Sequence, residues 1–441
     1  MKHIIILGDG MADERIAKLN NQTPLEAANK PYMDLLAKKG RCGLLHTVPS
    51  GFKPGSEIAN MCVLGYDVRT EFEGRGSLEA ASIGVAIQEG EMAMRCNLIC
   101  VQDGKIKNHS AGHISNEEAK ELIEFLQAEL GNDVFTFHNG ISYRHLLIMK
   151  GGNKQITCTP PHDVPGAEVN SVLVKADVAE AEETAKLLNE LTLKSQELLE
   201  NHPVNLKRKA EGKDPANSIW VWSPGYKPSM KTLKEKFGIG SGAVISAVDL
   251  IKGIGIYAGL ESIEVEGATG LYNTNYEGKA SAALKALTED GYDFAYIHVE
   301  APDEMGHQGS VERKVQAIEY LDEKVIKPMV DTLNEKGVDF RMLVLPDHPT
   351  PIRVRTHTSA PVPYLIYNST KQEKKICRYS EKEAVRTGKE WVKLVHVTYP
   401  LKQSAIKVEQ QRGKAYMDSL YLSLKGNSNF QMEEIPWMQT R

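Results

Sequence analysis

Apolar residues follow two rhythms along this chain. Short, largely apolar runs occur at residues 2–7, 97–101, 146–149, Phe294–Val299, 341–345 and 362–367. They have strand length, and several stop at Gly, Asp or Pro, as buried strands do. Helical spacing separates them. One helix is predicted to open at Thr23-Pro24-Leu25-Glu26, with proline in its first turn, and to fade near Lys39-Gly40. Another covers residues 57–64 and is stopped by Gly65. A long polar helix is expected near residues 179–201, a short one at 281–287 and a long amphipathic one over 311–336. Apolar patterning also resumes at 243–250 and 254–260. Strands alternating with helices predict an α/β fold around a parallel sheet.

The texture changes between about residues 76 and 215, where short strand-like pieces alternate with turns and lead into the long polar helix. This predicts an inserted, smaller α+β domain at 76–215 that divides a larger domain into 1–75 and 216–400. Residues 401–441 read as a divergent tail, rich in Lys, Gln, Ser and Asn and weakly periodic.

Composition narrows the function by exclusion. With 53 basic and 58 acidic side chains the formal charge is −5, so bulk electrostatics argue for neither a nucleic-acid nor an anionic-membrane partner. No apolar run approaches the roughly 18 residues of a membrane span. The opening run before Gly8-Asp9-Gly10 is too short for a signal-peptide core, so a cytoplasmic location is expected. The six cysteines form no CxxC pair and read as free thiols in a reducing compartment. Neither a heptad zipper nor a self-complementary motif indicates an oligomeric state.

Three segments far apart in sequence share one design, a strand whose C-terminal end delivers a carboxylate or an imidazole. The first ends in Asp9. The second, Phe294–Val299, is followed by Asp303 and His307. The third, 341–345, is followed by Asp347-His348 and then His357. In open α/β sheets these strand ends line the ligand crevice. The resulting nitrogen and oxygen donors, with no cysteine nearby, suit zinc, manganese or iron. Six or seven such ligands exceed the needs of one catalytic ion and suit a pair about 4 Å apart, as used in phosphoryl transfer. Ser56 lies between a glycine-containing loop and a helix. Read alone, it is either a helix N-cap or a nucleophile activated by metal coordination.

The runs Leu7-Gly8-Asp9-Gly10-Met11-Ala12-Asp13, Thr23-Pro24-Leu25-Glu26-Ala27-Ala28 and residues 54–66, which include Pro54-Gly55-Ser56-Glu57-Ile58-Ala59-Asn60, together resemble cofactor-independent phosphoglycerate mutase of the archaeal type, a family of the alkaline phosphatase superfamily. Gly74-Arg75-Gly76-Ser77-Leu78-Glu79-Ala80, Arg95-Cys96-Asn97-Leu98, residues 299–309 and residues 346–361 add to the likeness, which spans roughly residues 1–370. The resemblance implies an alkaline-phosphatase-like, mostly parallel sheet flanked by helices, with the smaller α+β domain inserted. It implies two divalent ions, manganese or zinc, and no 2,3-bisphosphoglycerate. Asp303, His307 and His357 would hold one ion; Asp9, Asp347, His348 and the Ser56 hydroxyl would hold the other. Ser56 would take the phosphoryl group of 3-phosphoglycerate and return it to the other hydroxyl.

The same resemblance makes the insert the substrate-orienting half. Arg95, Arg144, His162, Arg208 and Lys279 would contact substrate, and Asp163 would serve as base. Closure over substrate is expected, with hinges near Gly76 and Pro215. Two departures stand out: Glu57 replaces the usual Asp after the serine, and the familiar Gly-His-containing ending is absent after about Thr387. Alternatives within the family's chemistry are a homoserine-kinase-like phosphotransferase and a metal-dependent phosphohydrolase. A kinase would act without a GxxxxGK[ST] or GxGxxG loop, since the chain has neither. A non-catalytic metal-binding scaffold is the alternative outside enzymology.

Overall fold

The computed structural model describes residues 1–371 and 378–387. Cys377, the end of the larger predicted domain and the divergent tail at 401–441 lie outside the described residues. The described residues form two compact units, one from Met1–Val68 with those from Lys231 onward, the other from Arg69–Met230.

The first unit is built on a seven-stranded sheet, in the order Glu261–Ser262, Gly242–Ile245, Phe294–Val299, Lys2–Gly8, Phe340–Leu345, Val362–Asn368, Arg41–Leu45. The first five strands are mutually parallel, and Val362–Asn368 runs antiparallel to both its neighbours. Lys2–Gly8 lies near the centre, and its unbroken Ile4-Ile5-Ile6-Leu7 run is buried on both faces. That burial explains why a parallel-sheet strand shows no alternation. Its neighbours pair in one register, Leu7 opposite His298 on one side and Leu345 on the other, so three strand ends finish level.

Two of the predicted helices are each divided in the structure. The single helix predicted from Thr23 to about Gly40 is two, Pro24–Ala27 and Pro31–Lys39. Pro31 has no N–H to continue a helix and is favoured in a first turn, so it restarts one. The long helix predicted over 311–336 is Val311–Tyr320 and Lys327–Glu335 joined by a π-helical stretch, Leu321–Ile326. Within that stretch the buried Asp322 accepts the backbone N–H groups of Tyr32 and Met33 at 3.1 and 2.6 Å, satisfying orphan donors of the helix Pro31–Lys39.

The second unit is an antiparallel sheet, Lys105–Asn108, Glu91–Gln102, Arg144–Lys150 and Phe135–Ile141, with Ser218–Gly225 also paired to Glu91–Gln102. The helices Asn116–Leu130 and Glu182–Leu199 pack Leu122, Leu126, Leu188 and Leu191 into its core. The five cysteines among the described residues are free. No helix among the described residues is long and apolar enough to cross a membrane.

Candidate active site

Asp9 follows Lys2–Gly8, Asp347 and His348 follow Phe340–Leu345, and Asp303 sits in the first turn of Ala301–Gln308, just after Phe294–Val299. Level strand ends therefore bring three carboxylates together. Gly10 makes the approach possible: its φ is +59°, and an added Cβ would stand 2.5 Å from Asp303 Oδ1, which no L side chain tolerates.

Two groups of donors result, each with its ligating atoms within 4.8 Å of one another: Asp303, His307 and His357, and Asp9, Asp347 and His348. In the first, His307 Nε2 lies 3.1 Å from Asp303 Oδ2 and 3.0 Å from His357 Nε2. Its Nδ1 lies 3.0 Å from the Arg355 carbonyl, an acceptor only, so Nδ1 is protonated; the hydrogen bond from Nε2 to Asp303 protonates the ring on both nitrogens and raises its pKa to about 9. Asp303 is held well below the ordinary carboxylate range: burial opposes this, but hydrogen bonds from His307 and His357 prevail. The His348 and His357 rings stack at 3.9 Å and join the two groups.

In the second group His348 Nε2 is 3.3 Å from Asp347 Oδ2 and 3.7 Å from Asp9 Oδ1. Asp347 Oδ1 accepts the backbone N–H groups of Gly10 and His348 at 3.2 and 2.8 Å. Asp9 is pushed well above the ordinary carboxylate range by burial and by the charges of Asp347 and Asp303. Its Oδ1 is buried without a hydrogen-bond partner. A buried oxygen left bare among converging carboxylates and imidazoles is short of positive charge. Divalent cations fit that donor set.

Ser56 is the first residue of the helix Ser56–Val63. Gly55 is the N-cap, with no side-chain capping bond, so the N-cap alternative for Ser56 falls away. Its hydroxyl lies 3.1 Å from His348 Nε2. Two further contacts brace the site. His298, fully buried, approaches Asp9 Oδ2 at 2.9 Å with Nε2 and Ser246 Oγ at 3.0 Å with Nδ1; burial drops its pKa to about 3. Lys314, also fully buried, donates to Asp13 Oδ2 and the Thr350 carbonyl, both at 2.8 Å, and to the Ala12 carbonyl at 3.4 Å. It thereby ties the loop bearing Asp9 to the loop bearing Asp347 and His348.

In the second unit, the Arg95 guanidinium lies over the Trp222 ring at 4.1 Å, with Nε 3.0 Å from Glu79 Oε2. His162 lies edge-on to Trp222 and to His109, and its Nε2 is 3.5 Å from Asp163 Oδ1. Arg75 and Arg144 are close enough to disfavour the Arg95 charge, after burial itself. This half-buried cluster of cations and imidazoles suits an anionic ligand.

The family model described as 2,3-bisphosphoglycerate-independent phosphoglycerate mutase matches residues 37–205. The mutase of that name from Methanosarcina acetivorans is 50% identical over 391 residues, 88% of this chain and 96% of that relative. This chain belongs to the 2,3-bisphosphoglycerate-independent phosphoglycerate mutase family. A probable mutase of the same description from Geobacter sulfurreducens is 47% identical over 393 residues, 88% of this chain and 96% of its own. Among solved structures, the PH0037 protein from Pyrococcus horikoshii aligns with a TM-score of 0.73 at 29% identity, covering 88% of this chain and 92% of that one. The cofactor-independent phosphoglycerate mutase from Thermoplasma acidophilum shares the fold, with a TM-score of 0.62 at 22% identity over 97% of this chain and 100% of its own. These mutase relatives do not favour the kinase-like, phosphohydrolase or scaffold alternatives.

In this family member, two residues expected at the substrate are engaged elsewhere. Arg208 is buried, donating to Glu118 Oε2, the Ala111 carbonyl and the Asp214 carbonyl at 2.6, 2.6 and 2.9 Å. Lys279 is buried with Nζ 2.9 Å from the His298 carbonyl, and burial lowers its pKa to about 8. Arg95, Arg144, His162 and Asp163 all lie in the second unit. Sequence reasoning missed Arg75, His109 and Trp222 there, and Lys314 and Asn60 in the first unit. A lysine in an amphipathic helix and an asparagine inside a motif carry no signal of their own.

Proposed function

We propose that the chain interconverts 3-phosphoglycerate and 2-phosphoglycerate, without 2,3-bisphosphoglycerate, by passing the phosphoryl group through Ser56. The observation that carries this reading is the Ser56 hydroxyl, 3.1 Å from His348 Nε2 at the edge of two adjoining three-ligand clusters. Asp303, His307 and His357 would hold one divalent ion, and Asp9, Asp347, His348 and Ser56 the other. Manganese or zinc suits the thiolate-free donors. Ions bound there would neutralise the converging carboxylates, acidify the Ser56 hydroxyl and offset charge on the transferring phosphoryl group.

Ser56 Oγ, as the alkoxide that bound ions would favour, bonds to phosphorus as the bond to the 3-oxygen of glycerate breaks, and that oxygen takes a proton from the acid form of Asp163. In the return step the 2-hydroxyl attacks phosphorus and gives its proton back to Asp163 as base, while the bond to Ser56 Oγ breaks and restores the alkoxide. The second unit supplies recognition, with Arg95, Arg144 and His162 binding the carboxylate and phosphate oxygens that a guanidinium fork suits. Phosphorus NMR on manganese-loaded protein tests this, with 3-phosphoglycerate and neither 2,3-bisphosphoglycerate nor ATP added. Growth of the 2-phosphoglycerate signal is expected. Free phosphate alone would make the protein a phosphohydrolase, and no change would overturn the reading.

A further inference from the structure

Asn60 stands one helical turn after Ser56 on the helix Ser56–Val63 and is fully buried. Its side-chain Nδ2 donates to the Ser56 carbonyl at 2.8 Å and to Asp347 Oδ2 at 3.0 Å. Its Oδ1 accepts the hydroxyl of Tyr296, itself fully buried in the strand Phe294–Val299. Chemistry fixes this orientation. The Ser56 carbonyl and the Asp347 carboxylate are acceptors only, so a flipped amide would set its oxygen against both. The Tyr296 hydroxyl completes the lock by offering its proton on the opposite side.

One amide thus joins three elements: the turn that carries the nucleophile, the loop after Phe340–Leu345, and the strand Phe294–Val299. Both hydrogens of Nδ2 are used, one on the backbone of the nucleophile and one on the carboxylate beside it. Rotation of the first helical turn alone, which would swing the Ser56 hydroxyl away from His348, breaks the bond to the Ser56 carbonyl, and rotation of the whole helix breaks the bond to Asp347. Ser56 lacks a side-chain cap of its own, so this buried amide provides a bracing that helix capping does not.

We propose that Asn60, oriented by Tyr296, is a positioning residue that holds Ser56 and Asp347 in fixed mutual register for phosphoryl transfer. This rests on the reading of Ser56 as nucleophile given above. Neither residue touches substrate; they act through the placement of the hydroxyl, and a misplacement of even 1 Å costs rate.

The test compares wild type, Asn60→Leu and Tyr296→Phe at saturating manganese. For each, kcat and KM for 3-phosphoglycerate are measured, and manganese binding is counted by calorimetry. Turnover is expressed per manganese-binding protein, so that a misfolded fraction is not counted. Asn60→Leu is expected to lose about 10- to 100-fold in kcat, the range for a lost supporting hydrogen bond, with KM changed less than about threefold. Tyr296→Phe should fall by about tenfold, the low end of that range, because the amide keeps its other two partners. Both variants should still bind manganese. Should Asn60→Leu fail to fold, Tyr296→Phe decides alone. Wild-type turnover per manganese-binding protein in the variants would overturn the inference and leave the mutase reading standing. An inactive wild type would overturn that reading and this inference with it.

Discussion

Replacing Lys314 by Met removes the charge that joins two ligand-bearing loops while keeping most of the side-chain volume. In the native protein the ammonium is fully buried and sits 2.8 Å from Asp13 Oδ2 and from the Thr350 carbonyl. The Asp13 carboxylate keeps other donors, the backbone N–H groups of Glu14 at 2.7 Å and Ile352 at 3.2 Å. Without Lys314, however, it is a buried charge with no counter-ion, and the Thr350 carbonyl is stranded. Breaking one side of such a pair costs about 3–5 kcal/mol. The backbone donors left on Asp13 place this case near the lower end, about 3 kcal/mol. Replacing both partners, as in Lys314→Met with Asp13→Asn, removes the unpaired charge while an amide oxygen still accepts the Glu14 and Ile352 N–H groups, and should recover part of that stability. Register between the loops would still be lost, so the double variant should fold well and bind manganese about 10- to 100-fold more weakly. Hydrogen exchange at the amides of Lys2–Gly8 reads the stability of the unit concerned, and calorimetry reads the metal. A loss below about 1 kcal/mol in the single variant would refute the pairing argument. Native manganese affinity in the double variant would refute the role in positioning.

Other outcomes follow from the same geometry. His298→Phe should weaken manganese binding about 10- to 100-fold in calorimetry by releasing Asp9 Oδ2, and unchanged affinity would count against the Ser246–His298–Asp9 arrangement. Gly10→Ala should bind little or no manganese while the second unit keeps its hydrogen-exchange protection, since the new Cβ would stand 2.5 Å from Asp303 Oδ1. Burial raises the Asp322 carboxyl from an ordinary value of 3.8 to about 6. The folded state then holds a proton that the unfolded state has released, so the stability this group contributes is present below about pH 4 and is lost as pH rises through 6. Asp322→Asn should flatten the change in urea midpoint between pH 4 and 7, and an unaltered slope would contradict the assignment.

The parts of the fold that were legible are those where burial writes itself into local sequence. Ile4-Ile5-Ile6-Leu7 is apolar throughout, and Phe294–Val299 is apolar but for His298, because both sheet faces are covered. The polar residues immediately after them stand out for the same reason, which made Asp9, Asp303, Asp347 and His348 visible as candidates. Helix breaks were harder. Pro31 was absorbed into one long predicted helix because proline is also a helix starter, and the π-helical stretch at Leu321–Ile326 leaves the apolar spacing almost intact. Least legible were the contacts that brace the site. Asn60 meets Asp347 and Tyr296, and Lys314 meets Asp13, across hundreds of residues, and nothing local marks either end. Arg208 shows the converse. An arginine's type alone suggests an anion contact, and its engagement by Glu118 and two backbone carbonyls emerges only from tertiary packing.

Transfer through Ser56 is tested by trapping the phosphoryl group on the protein. Manganese-loaded protein is mixed with 3-phosphoglycerate, quenched in acid and digested, and the peptides are examined by mass spectrometry. Phosphate is expected on Ser56 in wild type and not in Ser56→Ala, with mutase turnover lost in that variant while it still binds manganese. Phosphate on another residue, or turnover that survives Ser56→Ala, would contradict transfer through Ser56.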